Sequence, residues 1–505
     1  MEFNYIIIQA GGMGTRLGHL TANKPKGIVP VNNLPMIFHL FNKYQDKKFI
    51  VICDYLADVL KKYLSVFAKV DYQCVVASHK GTCAGIKAAI DLIPENEPFM
   101  ISWSDLIFNE EFDEKLVQGN TIGISDGFEC RWSFIDGELK EVRSSDHGVA
   151  GVFFFNNKEV IIDVPIEGEF VRYLSNKGIT YNEIVLKGVK EVGTLLAFSQ
   201  EKKENTCRPF NRIEVKGDKL YKYGITEQGK KIAIDEVNWY RYAMIHLDNS
   251  FIPKIYSLEP LCLEYIDGKN AFKIELDNKQ KETVLKNCIN GLNYLHSVEQ
   301  VPANQESIFE CYYQKTFDRL SLIEKMVPFA DKDRIVINKK ERLNPFKCKE
   351  RIRMIIEKYF MNEETFAFIH GDPTLSNIII RNNLDIVFID PRGYFGKTKL
   401  YGDIYYDFAK LYYSFVGNYD QFNNKNFVLD IHENEVELEV ASSGYEYLEK
   451  EFFALVPHLE TRKIRFLHAL IWLSLTTYAW EDYDSICGAF YRGATLLDDA
   501  MKEFE

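Results

Sequence analysis

Tyr5-Ile6-Ile7-Ile8, followed closely by Gly11-Gly12-Met13-Gly14-Thr15-Arg16-Leu17-Gly18, decides how the first half of the sequence is read. The apolar run reads as a buried strand. The glycines after it let the backbone approach a triphosphate closely, so that Gly11, Gly12, Gly14 and the adjoining Thr15 form a phosphate cradle. Arg16 adds a bidentate cation for phosphate oxygens, and Lys26 in Lys24-Pro25-Lys26-Gly27 adds a second. Spacing excludes two other phosphate loops. Gly12, Gly14 and Gly18 miss the G-x-G-x-x-G dinucleotide pattern, and after Asn23 no acid occurs until Asp46. No Gly-Lys-Ser/Thr follows, as a Walker loop requires.

Outward from this stretch, Phe49-Ile50-Val51-Ile52-Cys53 and Phe99-Met100-Ile101-Ser102 read as strands. They alternate with helical patterns over Ala57 to Phe67 and Ala84 to Leu92, which predicts an α/β domain with a mainly parallel sheet. The polar run from Ser199 to Arg208 marks a change of texture and sets the domains at 1–205 and 206–505. In the second, Arg212 to Val215 and Lys219 to Tyr223 read as a hairpin through Gly217-Asp218. A helical stretch near Asp235 to Met244 and an apolar Pro260 to Ile266 come next. Helical periods dominate from Lys281 onward, broken by a strand pair at Asn377 to Arg381 and Ile386 to Ile389. A small sheet lobe over about 208–268 and a larger helical lobe over about 269–505 are expected.

The 505 residues carry a net charge of -12, which removes any global attraction to nucleic acid or to an anionic membrane. Ten cysteines without a C-x-x-C pair argue for reduced thiols and a cytoplasmic setting, with no zinc site or disulfide framework. The opening apolar run reads as a strand, not a signal peptide. Phe466 to Trp480 is interrupted by His468, Ser474, Thr476 and Thr477 and reads as a core helix, too polar for a membrane span. A homo-oligomer is left open.

The second half holds His370-Gly371-Asp372-Pro373-Thr374-Leu375-Ser376-Asn377, then Val387-Phe388-Ile389-Asp390-Pro391-Arg392-Gly393. Phosphoryl transfer to a hydroxyl needs an Asp to align it and take its proton, and an Asn plus a second Asp to hold Mg²⁺ on the nucleotide phosphates. Asp372, Asn377 and Asp390 fit these roles, and the D-x-x-x-x-N interval is that of a kinase catalytic loop. Trp472, Tyr478, Trp480, Tyr483, Phe490 and Tyr491, near Glu481, Asp482 and Asp484, could box an amine, although helix packing is the stronger reading of such a stripe.

Gly11 to Leu17, with Lys24-Pro25-Lys26 and Val29-Pro30-Val31, resembles the signature of sugar-phosphate and choline-phosphate nucleotidylyltransferases over roughly the first 200 residues. The resemblance implies a base and ribose contact at Gly81-Thr82, a Mg²⁺-binding Asp105, and a second ligand at Glu191 in Glu191-Val192-Gly193-Thr194, where the family usually carries Asp. The C-terminal stretch resembles the aminoglycoside phosphotransferase and choline kinase family, which implies a two-lobed protein-kinase-like fold. It implies a phosphate-gripping Lys222, with Lys219 as competitor, and its ion-pair partner Glu236, with Asp235 as competitor. Gly402-Asp403 and Asp407-Phe408-Ala409-Lys410 fit the pattern as structural elements.

Together the resemblances imply a bifunctional Mg²⁺-dependent enzyme. It would phosphorylate a choline-like, amino-alcohol or polyol acceptor with ATP, then attach a nucleotidyl group from CTP to that phosphate for cell-surface glycan or lipid precursors such as those of capsule. Two other readings stand beside it. One is a sugar kinase joined to a sugar-1-phosphate nucleotidylyltransferase using UTP or another triphosphate; the other has one domain silent and regulatory.

Overall fold

Ile6, Ile7 and Ile8 expose no surface, so β1 (Tyr5–Gln9) is covered on both faces, as an unbroken apolar run requires. After it come α1 (Met36–Lys43), β2 (Lys48–Cys53), α2 (Ala57–Phe67), β3 (Asp71–Val76), α3 (Thr82–Ile90) and β4 (Phe99–Trp103). β5 (Thr121–Ile124), β6 (Val149–Phe155), α4 (Phe170–Asn176) and β7 (Asn182–Val185) follow. The strands form one seven-stranded sheet in the order β7-β5-β6-β4-β1-β2-β3. β1 pairs parallel with β2 and β4, β2 with β3, and β5 with β7; only β6 runs against its neighbours. This is the mainly parallel α/β architecture read from the sequence. Gln9 pairs with Trp103 at the last rungs of β1 and β4, so the glycine loop and Asp105 leave the same edge of the sheet. Ligands of open α/β sheets bind at that carboxyl edge.

The computed structural model describes residues 1–109, 111–201 and 211–505. The chain divides into two units, Met1–Glu204 with Trp480–Asp484, and Asn205–Ala479 with Ser485–Glu505. The boundary expected between 205 and 206 lies outside the described residues. Trp480–Asp484, read as part of the helical lobe, groups with the first unit because its tryptophan packs there. The Trp480 ring lies 5.4 Å from Phe38 and 5.7 Å from Phe67, and the Tyr63 hydroxyl donates to its carbonyl. The aromatic stripe, for which helix packing is the stronger reading, is divided between the units, for Trp472 packs 5.1 Å from Tyr413 in the second unit.

The second unit opens with β8 (Asn211–Lys216), β9 (Lys219–Gly224), α5 (Glu227–His246), β10 (Ile255–Leu258) and β11 (Leu261–Glu264). The four strands form an antiparallel sheet in the order β8-β9-β11-β10. α5 starts earlier than the periodicity suggested, because the Thr226 hydroxyl caps it by accepting from the Gly229 N–H. Beyond lie α6 (Asn278–His296), α7 (Lys315–Ile323), the hairpin β12 (Ile378–Ile380) and β13 (Ile386–Phe388), α8 (Ile404–Phe415) and the buried α9 (Thr461–Leu475). Among the described residues no helix is long and apolar enough to cross a membrane.

The helical reading of this region missed strands: Arg334–Ile337, Lys340–Leu343, Phe427–Ile431 and Val436–Val440 form a second four-stranded sheet. Its first hairpin turns through Asn338 and Lys339, both at positive φ, as a two-residue turn of matching twist requires.

Gly85 fixes how closely α3 approaches the sheet, since a Cβ there would lie 2.2 Å from Ile52 Cγ2. Gly85→Val should destabilise the first unit by about 1–3 kcal/mol through overpacking, read as a lowered midpoint in thermal denaturation.

Candidate functional site

The turn after β1 is tight for a stated steric reason: a Cβ on Gly11 would meet Asp54 Cβ at 2.6 Å. Gly14, at φ 65°, lies against the Lys26 side chain, where a Cβ would come within 3.0 Å. Gly12 faces open space, with nothing within 4 Å of its position, and Thr15 begins the short 3-10 helix Thr15–Thr21. Gly81 sits at φ 99° before α3, where a Cβ would strike the Gly168 carbonyl oxygen at 2.3 Å. Thr82 Oγ accepts the Phe170 N–H at 2.8 Å, so these two residues tie the start of α3 to the start of α4.

Four of the predicted side chains converge beyond β4. Lys26 Nζ lies 2.5 Å from Asp105 Oδ2, and Arg16 Nη2 donates to Glu191 Oε1 at 3.1 Å. Asp105 is buried, which opposes its charge, but the Lys26 ammonium prevails and holds its carboxyl below the ordinary range. Burial, reinforced by Asp105, pushes Glu191 up. The two carboxylates close on a single point: a Cβ on Gly193 would lie 2.3 Å from Asp105 Oδ2 and 2.4 Å from Glu191 Oε1.

Whether Mg²⁺ fits here is answered by the donor atoms. Asp105 Oδ1 is buried with no hydrogen-bond partner, and the missing Gly193 side chain leaves room between both carboxylates. Among the described residues no group of three or more His, Cys, Asp or Glu could hold a metal. Two carboxylates suffice for Mg²⁺, which usually keeps waters and shares substrate phosphates. The residues therefore fit the ion.

The match with known proteins falls on this same region. Residues 5–121 match the family model described as nucleotidyl transferase. The first unit carries a nucleotidyltransferase domain. Among curated relatives, glucose-1-phosphate cytidylyltransferase of Salmonella typhi is 24% identical over 263 residues, covering 44% of this chain and 96% of its own. The catalytic subunit beta of mannose-1-phosphate guanylyltransferase of Dictyostelium discoideum is 32% identical over 118 residues, 22% of this chain and 33% of its own. Among solved structures, HddC of Yersinia pseudotuberculosis is 20% identical, with a TM-score of 0.35, over 39% of this chain and 98% of its own. CTP:phosphocholine cytidylyltransferase of Streptococcus pneumoniae is 18% identical, with a TM-score of 0.32, over 40% and 97%.

The loop of the nucleotidyltransferase domain has an anchor that sequence reasoning missed. Lys24 is buried, with Nζ 3.1 Å from Asp482 Oδ1 and a second bond to Asp484; the Asn23 amide also donates to Asp484 at 3.3 Å. Burial disfavours the ammonium, but the two aspartates outweigh it and hold Lys24 protonated. No local signal could have found this, because the partners lie some 460 residues away.

In the second unit, Lys222 on β9 sits 2.9 Å from Glu236 on α5 and 2.8 Å from Asp390 after β13. The competing residues are engaged elsewhere: Lys219 lies over the Tyr256 ring, and Asp235 pairs with Lys399 at 2.8 Å. Asn377 Nδ2 donates to the Asp372 carbonyl at 2.9 Å and to its Oδ2 at 3.1 Å, while Lys410 Nζ lies 2.7 Å from Asp372 Oδ1. Asp390 takes a left-handed φ of 56°, rare for a residue with a side chain.

Asp403 is a cap, accepting the Tyr405 N–H at 3.0 Å. Asp407 is structural in a specific way: it accepts from the His370 and Gly371 N–H groups at 2.9 and 2.6 Å and so holds the turn before Asp372.

Lys24→Met should lower the thermal midpoint of the first unit by leaving the buried Asp482 and the largely buried Asp484 without their cation, a loss of about 3–5 kcal/mol in chemical denaturation.

Proposed function

We propose that the chain is a bifunctional enzyme that phosphorylates a small hydroxyl compound with ATP and then transfers a nucleotidyl group onto the new phosphate. The observation that carries the proposal is the pair of constellations: Arg16, Lys26, Asp105 and Glu191 in one unit, and Lys222, Glu236, Asp372, Asn377 and Asp390 in the other.

In the first, an oxygen of the acceptor phosphate attacks the α-phosphorus of the triphosphate while the bond to the β-phosphate oxygen breaks and pyrophosphate leaves. Gly11, Gly12, Gly14 and Thr15 cradle the phosphates, and Gly81 and Thr82 open the helix assigned to the base and ribose. Arg16 and Lys26 stabilise charge on the leaving group. Asp105 and Glu191 would hold Mg²⁺, which when bound neutralises the crowded phosphate oxygens.

In the second, the acceptor hydroxyl attacks the γ-phosphorus of ATP and the bond to the β-phosphate oxygen breaks. Asp372 takes the hydroxyl proton and ADP leaves. Lys222, oriented by Glu236, binds the nucleotide phosphates. Asn377 and Asp390 supply hard oxygen atoms suited to Mg²⁺, which there would draw charge from the transferring phosphoryl group. Lys410 places its ammonium 2.7 Å from Asp372 Oδ1 and fixes the position of that carboxylate.

CTP is the proposed nucleotidyl donor, supported by the cytidylyltransferase among the relatives. A sugar acceptor, rather than a choline-like one, is favoured by the sugar 1-phosphates named for the curated relatives.

The two chemistries should separate by mutation. Asp372→Asn should reduce phosphoryl transfer by roughly 10²–10⁴-fold while nucleotidyl transfer persists, and Asp105→Ala should do the reverse. Mass spectrometry reads phosphoryl transfer with Mg²⁺, ATP and the unphosphorylated acceptor, and nucleotidyl transfer separately with Mg²⁺, CTP and the phosphorylated acceptor; parallel loss of the two activities in either variant contradicts the assignment. Arg16→Ala should slow nucleotidyl transfer roughly a hundredfold or more; an unchanged rate removes Arg16 from the site.

A further inference from the structure

Beside the Asp372 loop stands a group of cations that no carboxylate neutralises among the described residues. Arg392 backs directly onto this loop: its N–H donates to the His370 carbonyl at 2.8 Å, and a Cβ on Gly371 would come within 2.8 Å of Arg392 Cβ. Its guanidinium donates to the hydroxyls of Tyr406 at 2.7 Å and Tyr394 at 3.1 Å and lies 4.4 Å from the Tyr394 ring centre. Lys315, at the start of α7, places Nζ 5.3 Å from the Tyr406 ring centre and 3.3 Å from Cys311 Sγ. Arg319, one turn further on, donates to the Ser474 carbonyl.

Among the described residues these three cations bind phenols, a thiol and a backbone carbonyl, never an acid. The contrast with Lys399 is direct, for that residue lies over the same Tyr394 ring but has Asp235 at 2.8 Å. All three are half-buried, recessed yet in contact with solvent. Burial lowers the Lys315 ammonium to about 8, with Arg392 and Arg319 adding to the effect against the opposing Cys311. Like charges held together away from bulk water repel, and an arriving anion removes that repulsion. An ammonium acceptor would add to it. The helix is also irregular at this point, since a single π turn, Glu310–Gln314, immediately precedes Lys315; such turns gather at functional sites.

We propose that the acceptor of phosphoryl transfer carries, besides its hydroxyl, a carboxylate or phosphate group that docks on Lys315, Arg319 and Arg392. This rests on the phosphotransferase reading of Asp372. The docked anion is unchanged by the reaction: the acceptor oxygen gains the γ-phosphoryl group, its proton passes to Asp372, and ADP departs.

The test uses the full chain with Mg²⁺ and ATP and acceptors matched in carbon skeleton: glycerol, glycerate and glycerol 3-phosphate; glucose, gluconate and glucose 6-phosphate; and choline and ethanolamine as cations. Phosphoryl transfer is followed by ³¹P NMR. The anionic members should exceed their neutral partners by about tenfold or more in kcat/KM, and the glycerate and glycerol 3-phosphate arms separate carboxylate from phosphate. Lys315→Met and Arg319→Ala should each raise the acceptor KM by about tenfold, with KM for ATP unmoved and Arg319→Lys restoring part of the loss. A neutral or cationic acceptor used as well as its anionic partner, or variants with an unchanged acceptor KM, overturns the proposal. If ATP is not turned over with any acceptor, the phosphotransferase reading fails by itself. Inorganic sulfate then tests the subsite alone, which stands if sulfate raises the thermal midpoint less in the Lys315→Met/Arg319→Ala variant than in the parent and falls if the rise is equal.

Discussion

Lys26 and Asp105 meet at 2.5 Å at the carboxyl edge of the parallel sheet, and the first site is arranged around that contact. Asp105 is buried, so its charge is tolerable only with a cation beside it. Lys26 supplies that cation from a loop whose path depends on Gly14, because any side chain there would press on the lysine stem. The same loop is held two residues earlier by Lys24 on Asp482 and Asp484. The position of the ammonium against the carboxylate is thus set from both sides.

The second unit solves the same problem in the same way. Lys222 bridges Glu236 and Asp390, and Lys410 meets Asp372, so each proposed nucleotide-binding or catalytic group rests against an opposite charge. Under the proposed function, substrate phosphates would compete for these lysines and free the carboxylates for a metal or a proton. Ion pairs of this kind store a site in a folded, low-energy form without filling it.

How much of this was legible in the sequence depended on distance along the chain. The buried triplet Ile6-Ile7-Ile8 and the glycines after it announced a parallel strand that ends in a tight glycine turn, because both signals are local. The Lys222 and Glu236 pair was legible as a pattern, but only packing could separate it from Lys219 and Asp235, each of which has its own partner. The sheet around Arg334–Ile337 was missed although Val436-Glu437-Leu438-Glu439-Val440 alternates with period two, since long helical patterns on either side masked it. Lys24 with Asp482, and Arg392 with Lys315, were invisible, because nothing in one segment specifies a partner contributed by another far away.

The same charge accounting sets the Arg392 group apart. Every other lysine or arginine assigned to chemistry in this chain, from Arg16 on Glu191 to Lys410 on Asp372, has its acid. Among the described residues, three cations beside the Asp372 turn have phenols, a thiol and a carbonyl as partners and no acid. Phenol hydroxyls orient a guanidinium but do not cancel its charge. The electrostatic cost of that arrangement persists in the free protein and disappears only when negative charge arrives from outside. Under the proposed phosphotransferase reading, an anionic group on the acceptor would supply that missing negative charge.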